Sequence, residues 1–148
     1  MIDEAAPVRI LLVEDSPGDV SLTRESLRDA RVANELVVVG DGEEALRFLR
    51  REDEHADGRE IDLVLLDLNL PCMDGHEVLA EIKRDQSLRA TPVIVLTTSA
   101  NPDDVMGAYA AHANAYVTKP VLFADFHDVL RRLEGFWLDV VRLPREVG

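Results

Sequence analysis

Five short, mostly apolar segments, each followed by a helical pattern, constrain the fold of this chain more than any other feature. They cover residues 9–13, 35–39, 61–66, 92–96 and 115–117. Strands that are apolar almost throughout are typical of a parallel sheet covered on both faces. Because parallel strands are joined by right-handed crossovers, the pattern predicts an α/β fold with a doubly wound, five-stranded parallel sheet.

Turn and capping residues place the helices between these strands. Ser16 followed by Pro17 predicts a helix that runs to about residue 30, and Asp41-Gly42 precedes a second one over 43–50. Further helices are predicted over 76–84 and 103–111. The charged, unpatterned segment 51–60 is interpreted as an exposed connection.

Length and composition limit the classes of function. A chain of 148 residues has room for one hydrophobic core, so we expect a single domain spanning 1–148. The net charge of -13 disfavours direct binding to the phosphate backbone of nucleic acid. One cysteine, Cys72, excludes an intrachain disulfide, and no long apolar segment or basic leader is seen, so we expect a cytoplasmic protein without membrane spans.

The residues that directly follow the strands are chemically unusual. They are Glu14-Asp15, Asp67, Thr97-Thr98 and Thr118-Lys119-Pro120. In a parallel sheet these positions meet at one edge, where ligands bind. Carboxylates gathered there would repel one another unless a cation neutralised them, and Mg²⁺ is suited to such oxygen ligands.

Asp67, Lys119 and Thr97 together suggest phosphoryl transfer. A carboxylate such as Asp67 can act as a nucleophile and form an acyl phosphate. The Lys119 ammonium and the Thr97 hydroxyl, with Mg²⁺, could offset the negative charge on the transferring group. The sequence therefore predicts a phosphoacceptor site at this edge.

Four motifs resemble the receiver domains of two-component response regulators. They are VEDS with Glu14 and Asp15, LLDLNLP with Asp67, LTTS with Thr97, and YVTKP with Lys119. Their order and spacing are also similar to those of the family. The resemblance covers about residues 8–134, which we expect to be the receiver core, followed by a C-terminal extension over 135–148.

The resemblance implies a (βα)₅ flavodoxin-like fold with strand order 2-1-3-4-5 and phosphotransfer from a sensor histidine kinase to Asp67. It implies Mg²⁺ bound by Asp15, by Asp67 and by the backbone carbonyl of Asn69, with Glu14 acting through water. Thr97 and Tyr116 would form the switch pair that remodels the surface around the fourth helix and fifth strand. The Lys119-Pro120 peptide bond would be cis.

A narrower likeness is to the stand-alone response regulators associated with bacterial phytochromes. The shared sequence segments include LLDLNLPCMDG, PVIVLTTSA, NAYVTKP and FWLDVVRLP. This resemblance implies a bacteriophytochrome as a candidate kinase and a regulator without an output domain. Such a protein would act by switching its protein contacts.

The C-terminal segment has apolar residues at three- and four-residue steps from Phe126 to Val141, which predicts a last helix with a packing seam. Its first half is expected to cover the sheet. For the second half, with Phe136, Trp137 and Leu143, the hypothesis is a homodimer contact through this end and the face of the fourth helix. The alternative is packing against its own domain.

Two other functions compete with a non-enzymatic signalling switch. A Mg²⁺-dependent phosphohydrolase could use an aspartyl nucleophile, but Asp67-Leu68-Asn69 lacks the second carboxylate that such enzymes use as acid and base. A binding module that has lost phosphorylation is the other alternative, although every residue needed for phosphorylation is present.

Overall fold

The computed structural model describes residues 6–50 and 60–144, and strands and helices alternate along them. The strands are β1 (Val8–Val13), β2 (Asn34–Val39), β3 (Leu63–Leu66), β4 (Val93–Thr97) and β5 (Ala115–Thr118). The helices are α1 (Pro17–Arg28), α2 (Gly42–Leu49), α3 (Gly75–Arg84), α4 (Pro102–Ala110) and α5 (Phe123–Trp137). Apart from Glu60, the predicted connection over 51–60 lies outside the described residues.

All five strands form one parallel sheet in the order β2-β1-β3-β4-β5. This confirms the predicted fold class and strand order. The chain runs from β1 outward to β2 and then returns to β3 on the other side of β1. The order therefore reverses between β1 and β3, and the crevice beyond their carboxyl ends is where doubly wound sheets bind ligands.

Alternate residues of the strands face two separate hydrophobic layers. On one face, Leu11, Val13, Val64 and Leu66 pack with apolar residues of α2, α3 and α4. On the other face, the residues between them along the strands pack with residues of α1 and α5. Because both faces are covered, the strands can be apolar throughout, as the sequence indicated.

Side-chain caps fix where four of the helices begin. The N-cap residues are Ser16, Asp41, Asp74 and Asn101, and each side chain accepts a hydrogen bond from a backbone amide in the first turn. Pro17 and Pro102 follow two of these caps at the first helical position. Such caps satisfy amides that have no partner within the helix.

The C-terminal segment corrects one expectation. α5 ends at Trp137 and the chain then turns, with the amides of Val140 and Val141 donating to the Phe136 carbonyl. This turn brings Leu143 back into the apolar layer beside β1 and β3, where it is 1% exposed. Its assignment to a dimer surface was wrong, because its apolar side chain is buried within its own chain.

Within the part of the chain that the structure describes, no helix has both the length and the apolar character needed to cross a membrane.

Candidate functional site

The sheet brings the predicted acidic residues together at one edge. Val13 of β1 and Leu66 of β3 are paired, so Glu14 and Asp67 follow neighbouring strands at the same level. The Asp67 amide donates to the Val13 carbonyl at 3.1 Å, and the Glu14 amide donates to the Val39 carbonyl at 3.0 Å. These bonds extend the strand ladders by one residue and hold both carboxylates in place.

Lys119 is the residue directly after β5, and its side chain extends to this edge of the sheet. Its backbone amide donates to the Thr97 carbonyl at 2.7 Å, which anchors it to β4. Its Nζ donates to Oε1 of Glu14, to Oδ2 of Asp19 at 2.9 Å and to Oδ2 of Asp67 at 3.1 Å. The Lys119 side chain is only 3% exposed, so these charge-assisted bonds are shielded from water.

Burial and charge shift the pKa values of the site residues. Burial raises the pKa of Glu14 to about 7, although the hydrogen bond from Lys119 opposes this change. Burial alone would lower the pKa of Lys119, but its bonds with Glu14 and Asp19 outweigh this effect and raise it. Lys119 is therefore a fixed positive charge beside the Asp67 carboxylate.

Glu14, Asp15 and Asp67 have the donor set of a divalent cation site. One carboxylate oxygen from each lies within 4.8 Å of the others. Glu14 and Asp67 are buried, whereas Asp15 is exposed at the mouth of the site. Three carboxylates, of which Asp15 is open to water, match the preference of Mg²⁺ for oxygen ligands and retained water molecules. The residues present therefore fit the metal that the sequence predicted.

The loop after β3 shapes the surroundings of Asp67. The Asn69 amide donates to Oδ1 of Asp67 at 3.1 Å and fixes the orientation of the carboxylate. Gly75, at the start of α3, packs so closely that a Cβ atom there would lie 2.4 Å from the Asp67 carbonyl oxygen. Only glycine fits this position without a shift of the backbone. This constraint was not recognised from the sequence.

The two predicted switch residues lie on neighbouring strands. Thr97 is fully buried, and its Oγ1 has no hydrogen-bond partner among the described residues. Tyr116 is partly buried, and its hydroxyl donates to the Ser99 carbonyl at 2.8 Å. In β4 and β5, Val95 pairs with Tyr116 and Thr97 pairs with Thr118. The Thr97 hydroxyl is thus available as a hydrogen-bond donor. The Tyr116 hydroxyl is bonded to the loop that follows Thr97.

A polar bridge extends from this loop to the neighbouring helices. The Ser99 hydroxyl donates to Asp104 of α4, and Nε2 of His76 in α3 lies 3.1 Å from the other Asp104 oxygen. Both interactions lower the pKa of Asp104, with Ser99 the larger cause. Motif analysis did not detect this bridge, because His76 lies 28 residues before Asp104 in the sequence.

The peptide bond between Lys119 and Pro120 corrects another expectation. No peptide bond in the described ranges is cis, so this bond is trans. The trans isomer is the intrinsically favoured one for a bond before proline. Lys119 makes all of its contacts with the carboxylates in this arrangement.

Comparisons with known proteins agree with this geometry. The family model for the response regulator receiver domain matches residues 10–131. Response regulator Rcp1 of Synechocystis sp. is 46% identical over 145 residues, which are 97% of this chain and 99% of that protein.

Solved structures show the same relationship. The crystal structure of the phosphorylated cyanobacterial phytochrome response regulator RcpA has a TM-score of 0.91 and 46% identity, covering 94% of this chain and 99% of that one. The Mn²⁺-bound form of Rcp1 has a TM-score of 0.90 and 46% identity, covering 93% and 99%. Since the family model spans most of the chain and its relatives share the fold along nearly their whole length, this protein belongs to the response regulator receiver domain family of two-component signalling.

Proposed function

We propose that this protein accepts a phosphoryl group on Asp67 from a sensor histidine kinase and thereby changes its contacts with other proteins. The observation that carries the proposal is the buried Lys119 ammonium, which bonds Asp67 beside a cluster of carboxylates. In the transfer, an Asp67 oxygen forms a bond to phosphorus while the bond from phosphorus to the histidine nitrogen breaks. The imidazole leaves with the electron pair of that bond.

Two side chains and one backbone amide have defined parts in this reaction. Asp67 supplies the nucleophilic oxygen, and the Asn69 amide orients its carboxylate. Lys119 supplies a positive charge for the phosphoryl oxygens, in a site where water screens it little. The acyl phosphate is later hydrolysed, and inorganic phosphate leaves.

A divalent cation would be held by Asp15 and Asp67 and by the backbone carbonyl of Asn69, with Glu14 acting through water. When bound, it would offset negative charge on the phosphoryl oxygens. Mg²⁺ is proposed for this place. The Mn²⁺-bound form of Rcp1, a relative with the same fold, supports a divalent cation here.

Thr97 and Tyr116 are proposed as the switch pair. The unpartnered Thr97 hydroxyl would donate to the phosphoryl group, which gives the phosphorylated state a bond that the unphosphorylated state lacks. Movement of Thr97 and its loop would change the place of Ser99, to which Tyr116 is bonded. A phosphoryl group shifts the equilibrium between two surface conformations only if it interacts more favourably with one of them than with the other.

A signalling role is favoured over the phosphohydrolase alternative. Asn69 stands where a second carboxylate would be required, and its side chain is exposed. Catalysis is therefore limited to the transfer to Asp67 and the later loss of phosphate. The protein would not turn over small phosphoesters.

A bacteriophytochrome is proposed as the kinase, and a homodimer as the assembled form. The first proposal is supported by the relative RcpA, which is a cyanobacterial phytochrome response regulator. The second is supported by Phe136, which is 53% exposed and stacks edge-on against Trp137 at 6.0 Å. Together with Val117 and Val129, these rings line an open groove beside β5.

The proposed function is tested by the intact mass of the protein after incubation with acetyl phosphate, with and without Mg²⁺. We expect one added phosphoryl group that depends on Mg²⁺ and is absent from Asp67→Asn. Labelling of Asp67→Asn to the same extent would contradict the proposal. A folded natural chain that binds Mg²⁺ and takes up no phosphoryl group would favour a binding module instead.

A further inference from the structure

Asp19 is a third acidic partner of Lys119, which the sequence analysis did not identify. It lies in the first turn of α1, where its amide donates to the capping hydroxyl of Ser16 at 3.4 Å. Its Oδ2 lies 2.9 Å from Nζ of Lys119. An ammonium group has three N–H donors, and Glu14, Asp19 and Asp67 accept one each. All donors of Lys119 are therefore in use.

Asp19 differs from the other two partners in its place and exposure. Glu14 and Asp67 belong to the carboxylate cluster at the strand ends, whereas Asp19 lies outside the cluster found among the described residues. The Asp19 side chain is 33% exposed, compared with 3% for Glu14 and 9% for Asp67. Water can therefore replace Lys119 as the hydrogen-bond partner of Asp19 more easily than it can replace Lys119 as the partner of Glu14 or Asp67.

A phosphoryl group arriving at Asp67 would compete for the same ammonium. One of its oxygens can bond Lys119 only if an existing acceptor gives up its N–H donor. While Asp67 is still a charged carboxylate, the bond to Asp19 is the least costly to exchange, because the Asp19 carboxylate regains water. The negative charge of Asp19 also opposes the arrival of an anionic phosphodonor.

We propose that Asp19 is a positioning residue that holds Lys119 in the unphosphorylated protein and releases it to the phosphoryl group. Its carboxylate therefore slows phosphorylation of Asp67 and lowers the extent of phosphorylation. Both effects of Asp19, competition for Lys119 and repulsion of the donor, act in this direction. The inference rests on the proposed function of Asp67 as the phosphoacceptor.

The test compares rates of phosphorylation by acetyl phosphate at a fixed Mg²⁺ concentration. In this reaction the bond between Asp67 and phosphorus forms, and the bond from phosphorus to the acetyl oxygen breaks as acetate leaves. Asp19→Asn keeps the shape and one oxygen acceptor but removes the charge. We expect the rate constant of Asp19→Asn at saturating donor to rise about fivefold, as for loss of a partly exposed ion pair.

Two control variants separate this effect from a general change in charge or helix structure. Glu25→Gln removes the same charge from an exposed position of the same helix, and its rate should equal that of the natural chain. Asp19→Glu keeps the charge, and its rate should stay below that of Asp19→Asn. Varying the donor concentration distinguishes weaker repulsion, which lowers the half-saturating concentration, from release of Lys119, which raises the maximal rate.

The outcomes are distinct. A rate for Asp19→Asn that is equal to or below that of the natural chain would overturn the inference, as would an equal rise in Glu25→Gln. If circular dichroism shows that Asp19→Asn is unfolded, Asp19→Ala replaces it with the same expectation. If the natural chain is not labelled at all, the proposed function fails and this inference fails with it. If the natural chain and Asp19→Asn are labelled at equal rates, only the role of Asp19 is overturned.

Discussion

Thr97 carries a buried hydroxyl group that finds no hydrogen-bond partner in the described parts of the chain. Its side chain is completely shielded from solvent. Leaving a buried polar group unpaired costs about 1–3 kcal/mol, whereas an apolar group of the same shape avoids that cost. The unpaired Thr97 hydroxyl thus lowers the stability of the unphosphorylated protein, at the position where a phosphoryl group would supply an acceptor.

Replacing Thr97 by valine tests this interpretation. Thr97→Val should raise the free energy of unfolding of the unphosphorylated protein by about 1 kcal/mol, measured by urea denaturation. Thr97→Ser keeps the hydroxyl group and loses a buried methyl, so it should lower the free energy of unfolding by a similar amount. A valine variant that is less stable than the natural chain would show that the hydroxyl has a partner.

At the residue scale, the sequence identified the side chains at strand ends but missed one on a helix. Asp67 and Lys119 could be predicted because parallel strands end at a common edge. The contact between Asp19 and Lys119 depends on how α1 is placed over the sheet, which no local pattern encodes. The close approach of Gly75 to Asp67 likewise depends on the path of the loop.

α1 and α5 pack together around a buried carboxylate. Glu134 of α5 is 6% exposed, and its burial raises the pKa above the ordinary value of 4.5. Below pH 4.5, both the folded and the unfolded protein carry a protonated Glu134. As the pH rises above that value, the unfolded state ionises first, so the folded protein loses stability until the raised pKa of Glu134 is passed, and the loss stays constant at higher pH.

Glu134→Gln should remove this part of the pH dependence. The gain in free energy of unfolding over the natural chain should be larger at pH 7 than at pH 4, because glutamine does not ionise. Urea denaturation of both proteins at the two pH values measures the difference. A gain that is the same at both values would mean that Glu134 titrates alike in the folded and unfolded states.

At the scale of elements, each of the ten described strands and helices was predicted, and most ends agree within one or two residues. The end of the last helix was the exception. Apolar residues continue at helical spacing through Val140 and Val141, although α5 ends at Trp137. Spacing cannot distinguish a continuing helix from a turn followed by a segment that packs back on the domain.

For the whole molecule, the strand order could be predicted because right-handed crossovers and covered faces leave few topologies for five βα units. Assembly could not be predicted in the same way. Phe136 and Leu143 have similar apolar side chains, yet the structure exposes the first and buries the second. The distinction depends on the turn after α5.

The proposed homodimer can be tested by sedimentation. We expect the natural chain to associate at high protein concentration and Phe136→Asp to sediment as a monomer, since a charge would be buried in the contact. Val140→Asp is a control, because Val140 is also exposed but lies outside the groove lined by Phe136 and Trp137. A natural chain that stays monomeric, whether phosphorylated or not, would contradict the dimer.

Asp67 as the phosphoacceptor is tested most directly by chemical trapping of the acyl phosphate. After incubation with acetyl phosphate and Mg²⁺, borohydride reduction converts a phosphorylated aspartate to homoserine, and peptide mass spectrometry then locates the modified position. We expect homoserine at position 67, and none there in a sample without donor. Homoserine at position 15, or phosphorylated protein without any reducible acyl phosphate, would contradict Asp67 as the phosphoacceptor.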